Sequence, residues 1–250
     1  MRDKPSDLDL VAFSPHPDDA ELFCGGTLLL AAAAGLRTGI VDLTEGELST
    51  NGDPVRRSAE RTAASELLGL ADRVSLGLPD GAVGSSPDHR DAVVRALRAL
   101  RPAVVLAPYW EDRHPDHAAA GRIIREACFV AGVEKAGTGK MHRPERVYWY
   151  MLHHAFAPSI VVDVGPVWDR CERLHTIYES QVGTDDDATP TPINDGSFLT
   201  TLQARAAWFG GLVGAERGEP LHVEGPLCVR SLPELERAAP RSSPRYRAYA

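Results

Sequence analysis

The chain of 250 residues is poor in cysteine and has no excess of positive charge. Its four cysteines (Cys24, Cys128, Cys171 and Cys228) stand far apart and form no CxxC pair, which argues against a thiolate zinc or redox site and for a reducing compartment. The net charge of −8 lacks the basic footprint of a general nucleic-acid-binding protein. Nucleic acid is therefore not an expected partner, and any metal must be bound by imidazole and carboxylate groups.

Long apolar runs are also missing. The longest apolar-leaning run, residues 27–35 (TLLLAAAAG), has about half the length that a membrane-spanning helix needs. The first five residues (MRDKP) are polar and do not form the basic and apolar leader of a secreted protein. We therefore expect a cytoplasmic protein with no membrane partner.

The composition that remains, 43% hydrophobic and 25% charged, is that of an ordinary globular protein. Short apolar runs predict strands at residues 8–14, 39–44, 73–78, 103–109, 147–152 and 160–164. Helical patterns alternate with them at residues 24–35, 54–69, 88–100, 168–181 and 198–213. The alternation predicts an α/β fold, Rossmann-like, with three α/β/α layers and a mostly parallel sheet. We predict a single domain over residues 1–237, a flexible tail over 238–250 and a long polar loop over 184–196.

Two common fingerprints of α/β enzymes do not follow any predicted strand. Neither GxGxxG nor GxxxxGK[ST] is found there, which argues against a dinucleotide-dependent dehydrogenase and a P-loop NTPase. Two His-Pro-Asp motifs instead follow the first and the fourth strand: His16-Pro17-Asp18-Asp19 and His114-Pro115-Asp116-His117. Because ligands of open α/β sheets bind beyond the carboxyl ends of the strands, we expect the two motifs to meet at one site.

Each motif alone has a plain structural explanation, since Asp and Pro favour turns and Asp caps helices. Two near-copies at one sheet edge favour a metal site, because no fold requires such a repeat there. Two histidines and one carboxylate with an open position for water are typical of catalytic zinc, and they also suit non-haem iron. The residue types therefore leave zinc and ferrous iron open. His153 and His154 are interpreted as hydrogen-bonded neighbours of the site, and Glu21 as a first-turn helix acid.

Together with Gly25-Gly26-Thr27, the two motifs resemble the LmbE-like (PIG-L) zinc-dependent N-acetylglucosaminyl deacetylases. Four longer stretches make the sequence similar to the bacillithiol branch of that family, the N-acetylglucosaminyl-malate deacetylases: residues 42–49 (DLTEGELS), 76–81 (LGLPDG), 107–113 (APYWEDR) and 178–181 (YESQ). The resemblance extends over nearly the whole chain and implies an LmbE-like fold. It also implies a homo-oligomer, since relatives often assemble as hexamers.

The resemblance further implies a role for each motif residue. Zinc would be held by His16, Asp19 and His117. The remaining roles would be a general base, Asp18, and a charge-polarising pair at the metal, His114 with Asp116. Which of Asp18 and His114 finally protonates the leaving amine stays open.

Substrate contacts are expected from three arginines. Arg57 matches a substrate-contacting arginine of the branch, and Arg113 and Arg146 occupy positions that the branch keeps basic. Such arginines could form bidentate pairs with the two carboxylates of a malate aglycone. Some relatives place a tyrosine near the site where this sequence has Phe198, so no hydroxyl role is expected there.

These features predict a zinc-dependent deacetylase. Bound zinc lowers the pKa of its water towards ~7 and polarises the amide carbonyl, and a free carboxylate can then accept the water proton. The expected reaction converts N-acetylglucosaminyl-malate to glucosaminyl-malate and acetate. Other GlcNAc compounds are alternative substrates (an inositol thiol precursor, a chitin disaccharide or an antibiotic sugar). A non-catalytic metal-binding protein on the same fold and an iron-dependent oxygenase are further alternatives.

Overall fold

The computed structural model describes residues 7–183, 188–229 and 231. The strands in this part of the chain are β1 Leu10–Ser14, β2 Thr38–Asp42, β3 Asp72–Ser75, β4 Val104–Pro108, β5 Arg146–Tyr150, β6 Ile160–Asp163 and β7 Gly218–His222. They form one sheet in the order β3-β2-β1-β4-β5-β7-β6. Strands β1 to β5 are parallel, and β7 runs antiparallel to both of its neighbours.

Helices cover both faces of this sheet. They are α1 Asp19–Ala33, α2 Pro54–Leu68, α3 Pro87–Leu100, α4 Pro115–Ala131, α5 Trp168–Ile177, α6 Glu179–Val182 and α7 Ser197–Val213, with a short 3₁₀ helix at Gly165–Val167. Successive side chains of β1 point to opposite faces of the sheet, as in any strand, and so pack against different helical layers. Val11 and Phe13 pack with α3 and α4, whereas Leu10 and Ala12 pack with α1, α2, α5 and α7. The predicted three-layer α/β/α fold is confirmed.

Helix α2, which carries Arg57, begins and ends where its sequence predicts. The Asp53 carboxylate accepts hydrogen bonds from the backbone N–H groups of Val55 and Arg56 at 2.8 and 2.9 Å, and Pro54 occupies the first helical position. At the other end Gly69 takes a left-handed conformation with φ of 69°, which glycine adopts without a Cβ clash. Local chemistry therefore fixes the helix that reaches the site.

Helix α1 begins five residues earlier than the predicted helix over residues 24–35, because that helix contains a break. Cys24 has non-helical angles (φ −145°, ψ 20°). The interruption frees two backbone N–H groups, those of Gly26 and Thr27, which donate to the buried Glu219 carboxylate at 2.7 and 2.8 Å. The predicted helix is therefore the second half of α1, and Glu219 of β7 caps its start.

Two elements have no counterpart in the sequence predictions. Helix α4 begins inside the second motif, with His114 at its N-cap and Pro115 at its first position. Strand β7 is short, polar and interrupted by Pro220, which is uncommon in a central strand. The predicted helix over residues 168–181 is divided at Tyr178 (φ −83°, ψ 59°) into α5 and α6.

Some predictions lie outside the described residues. These are the C-terminal tail over 238–250 and residues 184–187 of the polar loop. Across the described ranges, no helix combines the length and the apolar character needed to cross a membrane.

Candidate active site

The first motif forms the turn between β1 and α1, at the carboxyl end of the sheet. Ser14 fastens this turn, because its hydroxyl donates to the His16 carbonyl at 2.6 Å and accepts from the Ala20 N–H at 3.0 Å. Asp18 has a φ of 133°, a conformation that residues with a side chain rarely adopt. Such strain is concentrated at functional sites, since the surrounding structure must hold it in place.

The two motifs meet around the carboxylate of Asp19. Its Oδ2 atom lies 3.1 Å from Nδ1 of His16 and 3.3 Å from Nε2 of His117. One ligand atom from each of these three residues lies within 4.8 Å of the others. The predicted ligand set is therefore brought together, and two imidazoles with one carboxylate are the donors that zinc and ferrous iron accept.

Each of the two imidazoles also contacts an outer carboxylate through its second nitrogen. Nε2 of His16 lies 3.1 Å from Oδ1 of Asp80, and Nδ1 of His117 lies 3.2 Å from Oδ1 of Asp112. Metal-binding histidines are commonly held in this way, because the outer carboxylate fixes the ring and its proton.

The electrostatics of this cluster favour positive charge. Burial alone lowers the pKa of His117, but Asp19 and Asp112 outweigh it and raise the pKa to about 9. The pKa of His16 is likewise raised well above its usual value, by hydrogen bonds to Asp116, Asp19 and Asp80 that outweigh burial. Carboxylates that stabilise protonated imidazoles would equally stabilise a bound cation, so the residues present fit a divalent metal.

Asp18 lies beside this ligand set and is also buried. Burial raises the pKa of its carboxyl to about 7, although Arg57 opposes the shift. The Nη1 atom of Arg57 lies 3.4 Å from Oδ2 of Asp18, and its Nη2 donates to the Pro17 carbonyl at 2.8 Å. A carboxyl group that titrates near neutral pH suits a residue that must both accept and release a proton. Arg57 therefore contacts the predicted base as well as the cavity.

The structure places the predicted pair, His114 and Asp116, next to His16 at the site. Their side chains are close, but Nδ1 of His114 accepts the backbone N–H of Asp116 at 3.2 Å and so caps α4. The Asp116 carboxylate instead accepts the N–H groups of Gly81 and Val83 at 2.7 and 3.2 Å. Because a backbone N–H can only donate, the proton of the neutral His114 ring lies on Nε2. Burial, and after it His117 and His16, lower the pKa of His114, which favours this neutral donor form.

A cavity of about 550 Å³ opens over these groups. Its polar lining includes Ser49, Asn51, Gln181 and Arg113, and its apolar lining includes Leu22, Phe23, Ile193 and Phe198. The described part of the predicted polar loop reaches the cavity through residues 191–193. The side-chain amide of Asn51 exchanges two hydrogen bonds, both 2.9 Å long, with the backbone of Thr189 and so holds that loop over the site.

Arg146 does not line this cavity, so the structure does not bring this predicted substrate contact to the site. Arg146 is the first residue of β5 and pairs with Val104, the first residue of β4. The cavity lies beyond the carboxyl ends of the same strands, so Arg146 stands at the opposite edge of the sheet. Arg57 and Arg113 do line the cavity.

Sequence reasoning missed Asp80 and Asp112. Asp80 lies in the stretch over residues 76–81 and Asp112 in that over residues 107–113, and neither acid is assigned a role from the sequence. A signal was available, because a metal-binding histidine needs an acceptor for its second nitrogen and both acids lie in segments that follow predicted strands. His153, expected as a hydrogen-bonded neighbour, stacks on His117 with ring centroids 5.4 Å apart.

Comparisons with known proteins identify the family. The family model described as PIG-L, GlcNAc-PI de-N-acetylase, matches residues 11–128, which contain both motifs. An inositol 2-acetamido-2-deoxyglucopyranoside deacetylase of Catenulispora acidiphila is 30% identical over 231 residues, covering 75% of this chain and 74% of that protein. The chain belongs to the PIG-L family. As a member of this family it is a hydrolase that acts on carbon–nitrogen bonds.

Two further similarities bear on the fold and the branch. The crystal structure of the conserved protein TT1542 from Thermus thermophilus is 40% identical, covers 90% of this chain and 98% of its own, and superposes with a TM-score of 0.83. A probable N-acetyl-α-D-glucosaminyl L-malate deacetylase of Bacillus anthracis is 29% identical over 170 residues, covering 63% of this chain and 70% of that protein. The PIG-L fold is therefore shared well beyond the residues that the family model matches.

Proposed function

We propose that this PIG-L protein is a zinc-dependent deacetylase of N-acetylglucosaminyl-malate, releasing glucosaminyl-malate and acetate in bacillithiol biosynthesis. The observation that carries the proposal is the convergence of His16, Asp19 and His117 beside the buried carboxyl of Asp18 in an open cavity. We further propose that the enzyme is cytoplasmic, homo-oligomeric and a single domain over residues 1–237. The resemblance to the bacillithiol branch and the similarity to the Bacillus anthracis protein support the choice of substrate.

Zinc would be held by His16, Asp19 and His117, and ferrous iron would use the same donors. When bound, the metal supplies acidity to a water molecule and polarises the amide carbonyl. The Asp18 carboxylate accepts the proton of the attacking water and gives it to the leaving nitrogen as the carbon–nitrogen bond breaks, so that the product leaves as a neutral amine. Nε2–H of His114 donates a hydrogen bond to the developing oxyanion. Asp18 is assigned the proton transfer because the capped His114 ring stays neutral.

The cavity suits a small sugar conjugate. Its volume of about 550 Å³ lies within the usual ~300–1,000 Å³ of small-molecule sites. Asn51, Gln181 and Ser49 offer hydrogen bonds to sugar hydroxyls. Of the two arginines that line the cavity, Arg57 is engaged with Asp18 and Pro17, so Arg113 is assigned the carboxylates of the malate aglycone.

Acetate release from a set of GlcNAc compounds tests the proposal. The zinc-loaded protein is assayed on the malate conjugate, the inositol conjugate, diacetylchitobiose and free N-acetylglucosamine. We expect kcat/KM to be highest for the malate conjugate and far lower for the free sugar. Equal values would contradict the malate assignment and leave a general GlcNAc deacetylase, whereas no acetate from any compound would contradict the deacetylase itself.

A matched pair of arginine variants sharpens the substrate assignment. Arg113→Gln should raise KM for the malate conjugate by about 10–100-fold, because a charge-assisted hydrogen bond contributes ~1.5–3 kcal/mol. It should leave KM for free N-acetylglucosamine unchanged. Arg146→Gln, at the other edge of the sheet, should alter neither value. An equal loss on both substrates in Arg113→Gln would contradict the assignment of Arg113 to the aglycone.

A further inference from the structure

Asp112 has an unusual set of contacts for a residue outside the ligand set. Its side chain is 1% exposed. The Oδ1 atom accepts the His114 N–H at 2.9 Å and lies 3.2 Å from Nδ1 of His117. The Oδ2 atom accepts the N–H groups of His153 and His154 at 2.8 and 3.0 Å. One carboxylate therefore joins the start of α4, a candidate metal ligand and the segment that follows β5.

These contacts fix which nitrogen of His117 keeps its proton when the ring binds a metal. The three backbone N–H groups on Asp112 are obligate donors, so its carboxylate acts as an acceptor towards each of them. Nδ1 of His117 can form a hydrogen bond with the acceptor Oδ1 of Asp112 only if this nitrogen carries a hydrogen atom. The lone pair of the neutral ring then lies on Nε2, which faces Asp19 at 3.3 Å. His117 is thereby presented in the tautomer that can bind a metal beside Asp19.

The same carboxylate also fixes one wall of the cavity. The His153 ring lies almost parallel to the His117 ring, with an interplanar angle of 15°. It contacts Phe23 edge to face at 5.5 Å, and His153, Phe23 and Phe198 all line the cavity. Because Oδ2 of Asp112 accepts the His153 N–H, the same carboxylate contacts both this wall and the imidazole of His117.

We propose that Asp112 is a positioning residue that holds His117 in its metal-binding tautomer and ties that ligand to the His153 wall of the cavity. The inference rests on the metal site of the proposed function. It goes beyond that function because it gives Asp112, which contacts neither the metal nor the substrate, a contribution to the metal affinity of the site. Outer carboxylates of this kind typically change metal affinity or activity by about 10–100-fold when they are replaced.

The test is zinc affinity of the purified full-length protein, measured by competition with a chromogenic chelator. In Asp112→Asn the amide keeps the size of the carboxylate, but it is uncharged and has only one oxygen. It therefore cannot accept from Nδ1 of His117 and from the N–H groups of His153 and His154 at the same time. We expect a loss of zinc affinity of about 10–100-fold with an unchanged far-ultraviolet circular dichroism spectrum. Glu111→Gln is the matched control, because Glu111 is adjacent and 59% exposed and contacts only His154 among the candidate groups. It should keep the affinity of the unaltered protein.

A spectroscopic measurement on the unaltered protein keeps the proposal testable if Asp112→Asn fails to fold. Long-range ¹H–¹⁵N correlation of the zinc-loaded, ¹⁵N-histidine-labelled protein should show His117 with hydrogen on Nδ1 and zinc on Nε2. Hydrogen on Nε2 of His117, or zinc affinity retained in Asp112→Asn, would overturn the proposal. Either result would leave acetate release by the unaltered protein intact, so failure of this inference is distinguishable from failure of the proposed function.

Discussion

Two buried polar clusters stand side by side in this molecule and differ in how their charges are balanced. In one, Arg73 donates to both oxygens of Asp42 at 2.8 and 2.9 Å and to Glu21 at 2.7 Å. The Tyr178 hydroxyl completes it by donating to Glu21 at 2.7 Å. In the other, the Asp19 carboxylate is faced by the imidazoles of His16 and His117. Asp19 and Glu21 belong to the same turn of α1, yet they face different clusters.

The difference separates a structural cluster from a functional one. The Arg73 cluster contains a permanent cation, which hydrogen-bonds to both of its carboxylates. The Asp19 cluster relies on imidazoles, whose nitrogens can give up their protons to a metal. Glu21, interpreted from the sequence as a first-turn helix acid, is in fact a buried partner of Arg73. A buried carboxylate near the site is therefore not by itself a functional one.

Among variants in which both clusters stay intact, replacing the general base Asp18 should cause the largest loss of activity. Asp18→Asn should retain the metal, because Asp18 lies outside the ligand set, and should lower kcat by about 10²–10⁴-fold through loss of the general base. Steady-state kinetics together with metal analysis of the same sample measure both effects. Full activity in Asp18→Asn would remove Asp18 from the proton transfer.

Replacing Arg73 should destabilise the structural cluster but should not remove metal from the cluster around Asp19. Arg73→Met removes the cation that contacts both Asp42 and Glu21 and leaves Asp42 with Arg61 at 3.9 Å, so the free energy of unfolding should fall by about 3–5 kcal/mol. Urea denaturation measures this change. Metal bound per folded molecule should stay the same. Loss of metal from a protein that remains folded would show that the two clusters are not separable.

The hydroxyl of the structural cluster should contribute least. Tyr178→Phe removes the hydrogen bond that the hydroxyl donates to Glu21 and the one of 3.3 Å that it accepts from Arg73, while Arg73 still donates to Glu21. The expected loss is about 1 kcal/mol in the free energy of unfolding, with kcat unchanged. A large fall in kcat with little change in stability would instead place Tyr178 in the catalytic machinery.

The sequence predicts best what local pattern and strand order determine. The two motifs follow β1 and β4, which are neighbours in the sheet, so their convergence needed only the rule for parallel strands. The same rule could not predict the contacts of Asp80 and Asp112 with the histidines, because these contacts depend on the conformation of the loops that follow the strands. The break in α1 was hidden for a similar reason, since Glu219, which caps it, lies 193 residues from Gly26 along the chain.

Arg146 illustrates a different limit. A resemblance can mark a position as basic without saying at which end of a strand the residue lies. The strand predicted over residues 147–152 began one residue too late to include Arg146, and the structure places that residue at the amino end of β5. Which edge of the sheet a side chain occupies follows from the bounds of the strand, and these are the least certain part of a sequence pattern.

Metal content and activity measured on one preparation test the central claim most directly. The purified protein is analysed for metal, stripped with a chelator, assayed for acetate release from the GlcNAc conjugates, and assayed again after zinc is restored; His117→Ala is treated in parallel. We predict stoichiometric metal and activity that disappears on stripping and returns with zinc, and neither metal nor activity in His117→Ala. Undiminished acetate release from the stripped protein, or a full complement of metal in folded His117→Ala, would contradict the account.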